Sequence, residues 1–192
     1  MEYLKIDSFL TDYSKHICNS YKIISIAGGS GSGKTWMAEQ LTKKINAKTL
    51  KLDDYIIPET ITPTSNWDIP SCWNLDLIEE HLTKFLAGKS FKKPIYNFKT
   101  GTNEQKEIIT PDKKLIVEGL YALHPQLKKY SNLSMFMDIA KEERLNRVLK
   151  RDIIERGTKT KEQIIKRWKE SIQPMYLVFV GVQKYKADIV LN

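Results

Sequence analysis

Short apolar runs alternate with longer helical patterns along most of the chain. The apolar runs are rich in Ile, Val and Leu and do not alternate with polar residues, which is typical of parallel strands buried on both faces. They predict five strands, at residues 23–27, 49–52, 115–117, 133–139 and 188–191. Helical patterns lie between them, at residues 34–45, 75–86, 141–156 and 161–175. Together these elements predict an α/β fold built on a parallel sheet.

The chain is predicted to form a single domain. No internal repeat, low-complexity segment or long linker divides its 192 residues. Residues 1–20 are expected to form an N-terminal helix. Pro58, Pro63 and Pro70 mark an irregular stretch over residues 55–73. Long loops in compact domains are usually functional, so we expect this stretch to carry functional residues.

The composition is that of a folded domain with an excess of positive charge. At 41% hydrophobic residues the chain is too apolar to be disordered. Its 31 Lys and Arg against 23 Asp and Glu give a formal charge of +8. This charge suggests anionic partners, but it does not choose between nucleic acid, phosphorylated metabolites and lipid surfaces.

Cysteine usage and hydropathy predict a cytoplasmic protein with no membrane association. Cys18 and Cys72 have no metal-binding spacing and cannot staple a secreted scaffold, so we expect two reduced thiols. The N-terminus has no apolar core of a secretory signal. The longest apolar run, residues 176–182, contains Gly181 and is far shorter than the roughly 20 residues of a membrane span.

The strongest motif follows the first predicted strand and begins a predicted helix. It matches G-x-x-x-x-G-K-[ST] at every fixed position, and its residues are Gly28, Gly29, Ser30, Gly31, Ser32, Gly33, Lys34 and Thr35. Glycines allow the backbone N–H groups to curl around phosphate oxygens, and the helix N-terminus adds its positive dipole end. The Lys supplies a cation for the β- and γ-phosphates, and the Thr hydroxyl can ligate Mg²⁺.

A phosphate loop predicts nucleotide binding and leaves the use of the nucleotide open. Three classes compete: a GTP-dependent switch, a motor or transporter ATPase, and a small-molecule kinase. The sequence has no N-K-x-D run to select guanine and no L-S-G-G-Q signature of transporter ATPases. Neither absence decides between the classes.

Three carboxylates follow predicted strands and favour the kinase. Asp53 and Asp54 end the second strand, and Glu118 follows directly after the strand at 115–117. Ligands of open parallel sheets bind beyond the carboxyl ends of the strands, where an acid can accept a hydroxyl proton or hold Mg²⁺. The alternatives are a solvated acid pair or helix cap for the two aspartates, and a Glu–Lys pair for Glu118.

A cationic helix follows at residues 141–156. Arg144, Arg147 and Arg151 are spaced to share one helix face, and such a face could close over a triphosphate as a lid. A solvated face near neighbouring acids explains the same spacing equally well.

The chain resembles the uridine kinase and phosphoribulokinase family of P-loop kinases from about residue 23 to residue 191. In chain order, the matching segments are GGSGSGKT, LDDY, NWDIPSCWN, KPIYNF, IVEGLYAL, RVLKRDIIERG and KYKADIVL. NWDIP is similar to the family's N-F-D-H-P segment, and PIYNF to its P-x-Y-D-F segment. The resemblance implies phosphorylation of a small-molecule hydroxyl by ATP. It also implies a β-hairpin at residues 91–110 and a helical lid at 141–158.

The resemblance assigns roles to individual residues. Asp53 would be the catalytic base, assisted by the cations Lys34 and Arg151, and the phosphate loop with Arg147 would bind ATP. Mg²⁺ would lie among Thr35, Glu118 and Asp53. Asp68 would hold ribose-like hydroxyls of the acceptor, and the other acceptor-side residues would be Tyr55, Tyr96 and Arg156.

The chain departs from the family where the base of the acceptor is read. Asn97 stands where uridine kinases carry Asp, no His lies near Gly101, and Val148 and Thr158 replace arginines. LDDYIIPE is also similar to the D-D-F-F-x-P-E run of nicotinamide riboside kinases. Because the resemblance is to a family that includes uridine kinases, uridine or cytidine stays the leading acceptor despite these departures. The alternatives are another small alcohol, a regulatory module without kinase activity and, last, nucleic-acid binding, for which no specific motif is present.

The remaining aromatic residues and histidines have no site pattern. We interpret the histidines as surface or satisfied groups, and Trp36 and Trp168 as packing residues. Trp67 and Trp73 flank Asp68 and could either stack on a planar ligand or pack in the core. The last helix is unusually apolar over residues 164–182, which fits either core packing or a contact in a homo-oligomer.

Overall fold

The fold is a parallel sheet with a separate hairpin. The structure, a computed structural model, describes residues 1–14, 20–61, 66–98, 100–155 and 160–192. The strands are β1 (Glu2–Leu4), β2 (Ile23–Gly28), β3 (Ala47–Lys51), β4 (Phe91–Asn97), β5 (Thr102–Ile109), β6 (Lys114–Glu118), β7 (Leu133–Met137) and β8 (Ile189–Leu191). Six of them form one sheet in the order β1-β8-β7-β2-β6-β3, with every pair parallel. The predicted α/β fold with a parallel sheet is confirmed.

Strand β2 shows why the apolar runs do not alternate. Ile23 and Ala27 pack into the core on one face of the sheet, and Ile24 and Ile26 pack into the core on the other. All four are fully buried. A strand covered by helices on both faces needs apolar side chains at odd and even positions alike. The phosphate loop therefore follows a fully buried strand near the centre of the sheet.

The helices cover both faces of this sheet. They are α1 (Lys34–Ile45), α2 (Leu75–Leu86), α3 (Pro125–Lys128), α4 (Lys141–Lys150) and α5 (Lys161–Arg167). The bounds of α1 and α2 agree with those predicted. Helix α1 ends where Asn46 takes a left-handed conformation, and α2 begins where the Asn74 side chain accepts a hydrogen bond from the Leu77 N–H at 2.9 Å.

The two C-terminal helices continue beyond their regular turns. Helix α4 runs into a wider turn at Arg151–Glu155, and α5 continues through Trp168–Ile172, Gln173–Met175 and Tyr176–Val180. Pro174 lies in this second continuation. It has no N–H group and its ring crowds the preceding turn, so a regular helix cannot run through it.

The N-terminus differs from the prediction. Glu2–Leu4 forms the edge strand β1 instead of the start of a helix, and helical turns follow only at Ile6–Ser8 and Phe9–Tyr13. Strand β1 pairs with β8 at the far end of the chain. A three-residue strand with a partner so distant in sequence leaves almost no local pattern. Across the described ranges, no helix has the length and apolarity needed to span a bilayer.

Strands β4 and β5 form their own antiparallel two-stranded sheet within the range predicted for the hairpin. This hairpin lies against the turn Leu52–Tyr55, which follows β3, and against α2. Among the described residues it shares no strand pairing with the main sheet. Packing against the turn and α2 positions it, together with a hydrogen bond from Lys48 Nζ on β3 to the Ile108 carbonyl at 3.5 Å.

Candidate active site

A cavity of about 1050 Å³ opens beyond the carboxyl ends of β2, β3 and β6. The phosphate loop forms one side of it, and the hairpin and the irregular loop before α2 form the other. Ligands of open α/β sheets bind at this edge, where the connections from neighbouring strands leave in opposite directions. Its charged lining residues are Lys34, Asp53, Asp68, Glu118, Arg147, Arg151, Asp152 and Arg167.

The phosphate loop has the backbone that its glycines predict. Gly31 and Gly33 have φ angles of 78° and 90°, a region that side-chain-bearing residues rarely adopt. The loop is closed by the Ser32 N–H, which donates to the Gly29 carbonyl at 3.1 Å, and Lys34 Nζ donates to the same carbonyl at 2.9 Å. This conformation turns the loop around the space that phosphate oxygens occupy in such sites.

The loop residues do not all face the cavity. Ser30, Gly31, Gly33, Lys34 and Thr35 line it. The others support them. Gly28 ends β2, Gly29 is buried, and Ser32 is buried with a hydroxyl that has no partner among the described residues.

Arg144 lies behind the loop and not in the cavity. It is 1% exposed, and its guanidinium packs 3.8 Å from the Tyr176 ring centroid and donates to Gln173 Oε1 at 3.1 Å. A Cβ added at Gly29 would meet this guanidinium and the Tyr176 ring, so a larger residue there requires these two side chains to shift. The prediction that three arginines of α4 face the triphosphate is therefore wrong. Arg144 instead connects α4 to the continuation of α5 behind the phosphate loop.

Arg147 and Arg151 do line the cavity. Arg147 Nη1 donates to the Ser32 carbonyl at 3.4 Å, and Arg147 Nη2 pairs with the Glu143 carboxylate. Arg151 Nε donates to Asp152 Oδ1 at 2.8 Å. Arg156, predicted to be an acceptor-side cation, lies outside the described residues.

Thr35 and Glu118 meet at the end of the loop. The Thr35 hydroxyl donates to Glu118 Oε1 at 2.9 Å. Glu118 is 5% exposed, and this burial raises the pKa of its carboxyl above the ordinary value, while Lys34 opposes the rise. Burial in turn lowers the pKa of the Lys34 ammonium, and the charges of Glu118 and Asp53 oppose that change. The site therefore holds mutually dependent charges that a bound anion and cation would rebalance.

Asp53 enters the same cavity from the turn Leu52–Tyr55. It lies within electrostatic reach of both Lys34 and Glu118. Tyr55, at the end of this turn, was predicted to contact substrate and instead faces away. It is 1% exposed and its hydroxyl lies 2.8 Å from His81 Nδ1 in the core. Of the two predicted alternatives, a surface or a satisfied histidine, the structure shows the second for His81.

Asp68 is held by groups that the motifs did not identify. It is 4% exposed, and its carboxylate accepts from Arg167 Nη2 at 3.1 Å and from the Ser171 hydroxyl at 2.6 Å. Arg167 lines the cavity and lies 5.4 Å from the Trp67 ring centroid. Asp68 and Arg167 are 99 residues apart in the chain, so only the folded structure brings them together.

Aromatic side chains form much of the remaining wall. Trp67, Trp73, Tyr96 and Phe98 all line the cavity, with the rings of Tyr96 and Phe98 in edge contact at 5.0 Å. Trp73 also packs in the core, since it is 5% exposed and contacts Tyr121 edge to face. Trp36, predicted to be a packing residue, is 47% exposed and lines the cavity beside the phosphate loop.

Comparison with known proteins agrees with this arrangement. The family model "Phosphoribulokinase / Uridine kinase family" matches residues 23–192. The chain belongs to this family. It is 32% identical to a uridine kinase of Halalkalibacterium halodurans, over 88% of this chain and 84% of that protein. It is 30% identical to a uridine kinase of Ligilactobacillus salivarius, over 90% of this chain and 85% of that protein.

A solved structure shares the fold of this family member. It is described as a possible uridine kinase from Bacillus stearothermophilus, with a TM-score of 0.72 and 16% identity over 95% of this chain and 99% of that one. The predicted P-loop kinase fold and the predicted family are thus confirmed. The chain is an ATP-dependent phosphotransferase that acts on a hydroxyl group.

Proposed function

We propose that this enzyme transfers the γ-phosphate of ATP to a hydroxyl group of a nucleoside, with uridine or cytidine as the leading acceptor. The observation that carries this proposal is a single cavity in which the phosphate loop faces Asp53, Asp68 and an aromatic wall. Relatives at 30–32% identity over most of the chain are named uridine kinases, which supports a nucleoside acceptor.

The side of the cavity formed by the phosphate loop is called the donor half here, and its residues suit ATP with Mg²⁺. Mg²⁺ prefers oxygen ligands and is commonly bound through one or two carboxylates together with substrate phosphates and water. Thr35, Glu118 and Asp53 supply such oxygens beside the loop. Among the described residues no cluster of three His, Cys, Asp or Glu side chains forms a separate metal site. When bound, the metal would neutralise charge on the transferring phosphate.

The chain's own residues would carry the rest of the transfer. Lys34 and Arg147 bind phosphate oxygens, and Arg151 stabilises charge on the transferring group. Asp53 accepts the proton of the attacking hydroxyl, since a carboxylate at the boundary between the two halves can reach both. Closing the α4 side over the cavity would exclude water, which favours the alcohol over water as nucleophile.

The opposite side of the cavity, which contains Asp68, Arg167 and the hairpin residues, is called the acceptor half. It suits a molecule with hydroxyls and a planar ring. The Asp68–Arg167 pair offers a carboxylate oxygen and N–H donors together, so it can both accept from and donate to a sugar hydroxyl. The half-buried rings of Trp67 and Tyr96 and the exposed ring of Phe98 line the cavity and provide apolar surface on which a base can stack. A base held largely by stacking would be read less strictly than one held by hydrogen bonds.

A cytoplasmic location fits this chemistry and is part of the proposal. Cys72 is a free, buried thiol, as expected of a protein in a reducing compartment. Association of copies stays a prediction. It is motivated by Leu177, Val178 and Val182, which are 64%, 56% and 45% exposed near the end of the last helix.

A coupled assay of ADP release tests the proposed function. The panel contains uridine, cytidine, nicotinamide riboside, pantothenate and simple sugars, with ATP and Mg²⁺ and a control without acceptor. We expect release that depends on uridine or cytidine, with mass spectrometry detecting the nucleoside monophosphate. Release only with nicotinamide riboside, pantothenate or a sugar would replace the proposed acceptor. ATP binding without acceptor-dependent release would indicate a regulatory module.

A further inference from the structure

Two residues that the proposed mechanism does not use form a buried ion pair beside the acceptor half of the cavity. Lys93 Nζ lies 2.6 Å from Asp54 Oδ2, and the two residues are 4% and 8% exposed. Charged residues are almost never this buried unless they are paired, because removing a charge from water is costly. The pair is therefore a defined feature of the fold and not a surface contact.

This pair joins the proposed base to the hairpin. Asp54 follows Asp53 directly in the turn after β3, and Lys93 lies on β4. The other carboxylate oxygen of Asp54 accepts a hydrogen bond from the backbone N–H of Tyr96 at 3.2 Å. One carboxylate thus fixes two points of β4, three residues apart, against the turn that presents Asp53.

A second connection runs in parallel through the core. The Tyr55 hydroxyl, in the same turn, lies 2.8 Å from His81 on α2, and the His81 ring stacks on Phe91 of β4 with centroids 4.4 Å apart. Both residues after Asp53 are therefore bound, directly or through one neighbour, to the hairpin strand that lines the acceptor half.

The hairpin needs such connections. Tyr96, Phe98, Gly101 and Gln105 line the cavity, and all belong to the hairpin or its turn. A two-stranded sheet is only marginally stable alone, and this one is not paired with the main sheet. Its distance from Asp53 is therefore set by contacts with the turn and with α2, and the Asp54–Lys93 pair is a buried charged contact among them.

We propose that Asp54 and Lys93 are positioning residues of the acceptor site, an inference that rests on the function proposed above. They keep the aromatic wall of the hairpin at a fixed distance from the Asp53 carboxylate, so that a hydroxyl of the bound acceptor meets the base. Neither residue is among the described residues that line the cavity beside the phosphate loop. Their loss therefore affects use of the acceptor and spares ATP binding.

The test uses Lys93→Met, Asp54→Asn and the double variant, with Glu107→Gln as the matched control. Glu107 lies 3.1 Å from the same Lys93 ammonium but is 51% exposed, so its loss removes a partner without unpairing a buried charge. Each single variant leaves one buried charge without its main partner and is expected to lower the melting temperature. The double variant removes both charges and should regain most of that loss.

The acceptor kinetics separate positioning from stability. In the double variant we expect kcat/KM for the acceptor to stay about 10- to 100-fold below wild type, with KM for ATP unchanged, because misplacing the reacting groups by about 1 Å is this costly. Glu107→Gln should match wild type. Acceptor kinetics that recover together with stability, or an ATP KM that rises by the same factor, would overturn the proposal.

Hydrogen exchange provides a readout that needs no acceptor. Amides of residues 91–98 and 102–109 should exchange faster in the double variant, while those of 23–28 keep wild-type protection. Unchanged protection of the hairpin would overturn the inference even if the assay panel identifies a nucleoside. Conversely, loosening of the hairpin in an enzyme that uses a different alcohol would leave this inference standing and reject only the proposed acceptor.

Discussion

The Thr35 hydroxyl donates a hydrogen bond of 2.9 Å to Glu118, joining the first turn of α1 to the end of β6 across 83 residues of sequence. Thr35 lies in the first turn of α1 and Glu118 is the last residue of β6, so regular secondary structure fixes both positions. The pair lies beside Lys34, and the three groups together form the donor end of the cavity.

The first prediction concerns this pair. Thr35→Ala removes an oxygen that suits Mg²⁺, so we expect the Mg²⁺ concentration for half-maximal rate to rise about 10- to 100-fold. Thr35→Ser keeps the hydroxyl and should stay near wild type. The measurement is the rate of ADP release against Mg²⁺ at saturating acceptor. An equal effect of both variants would show that the methyl group, and not the oxygen, matters.

The second prediction concerns the base. Asp53→Asn preserves the shape of the side chain but removes its ability to accept a proton. We expect kcat at saturating Mg²⁺ to fall by about 10²–10⁴-fold, the usual range for general-base catalysis, while ATP affinity measured by calorimetry without Mg²⁺ stays unchanged. A variant that binds ATP normally and turns over at the wild-type rate would exclude this role for Asp53.

The third prediction separates strain from crowding in the phosphate loop. Gly31 and Gly88 have φ angles of 78° and 72°, but a Cβ at Gly31 would meet the Arg144 backbone, whereas a Cβ at Gly88 has nothing within 4 Å. We expect Gly88→Ala to lower the free energy of unfolding by about 1–2 kcal/mol without changing ATP affinity. Gly31→Ala should also weaken ATP binding, about tenfold or more, because the loop must move. Equal ATP affinities in the two variants would contradict this account.

The fourth prediction concerns the Asp68–Arg167 pair. Arg167→Gln removes a charged donor from a carboxylate that is 4% exposed and that keeps the Ser171 hydroxyl as a donor. We expect the free energy of unfolding, measured with urea, to fall by about 1–3 kcal/mol. The loss is moderated because the Arg167 side chain is 26% exposed to water. Asp68→Asn combined with Arg167→Gln should recover part of this loss. Additive losses in the double variant would mean that the pair contributes no coupling.

The fifth prediction concerns acid pH. Burial against Tyr55 and Phe91 lowers the pKa of His81 below its ordinary value of 6.5. Below pH 6.5 the unfolded chain therefore binds more protons than the folded one, so this contribution to stability is complete above that pH and is lost as the pH falls. We expect the melting temperature to drop between pH 7 and pH 5.

The matched variant is His81→Asn, which keeps a polar group near Tyr55 but cannot titrate. Its melting temperature should fall less over the same pH interval. His124→Asn serves for comparison, because burial also lowers the pKa of His124. If His81→Asn shows the full wild-type dependence on pH, the acid sensitivity comes from other groups.

Much of the framework could be predicted from local patterns. Strands buried on both faces need unbroken apolar runs, and a phosphate loop has few alternative backbones, so β2, α1 and the loop between them agree with expectation. The bounds of α2 were also predictable, because Asn74 is a common helix cap and apolar residues recur on one face of the helix.

The differences arise where a residue's role depends on distant partners. Strand β1 pairs with β8, which lies at the opposite end of the chain. In the turn Leu52–Tyr55, three consecutive side chains diverge, so that Asp53 enters the cavity while Asp54 and Tyr55 turn to the hairpin and the core. Arg167 carries no motif of its own. Its role follows from contact with Asp68, and no local pattern encodes a contact between residues 99 positions apart.

The separation of the hairpin from the main sheet has an evolutionary consequence. Residues of β4 and β5 can be exchanged without breaking any strand pairing of the six-stranded sheet that carries the phosphate loop. A lineage could therefore acquire a new alcohol substrate by drift in this one appendage while its nucleotide chemistry stays intact.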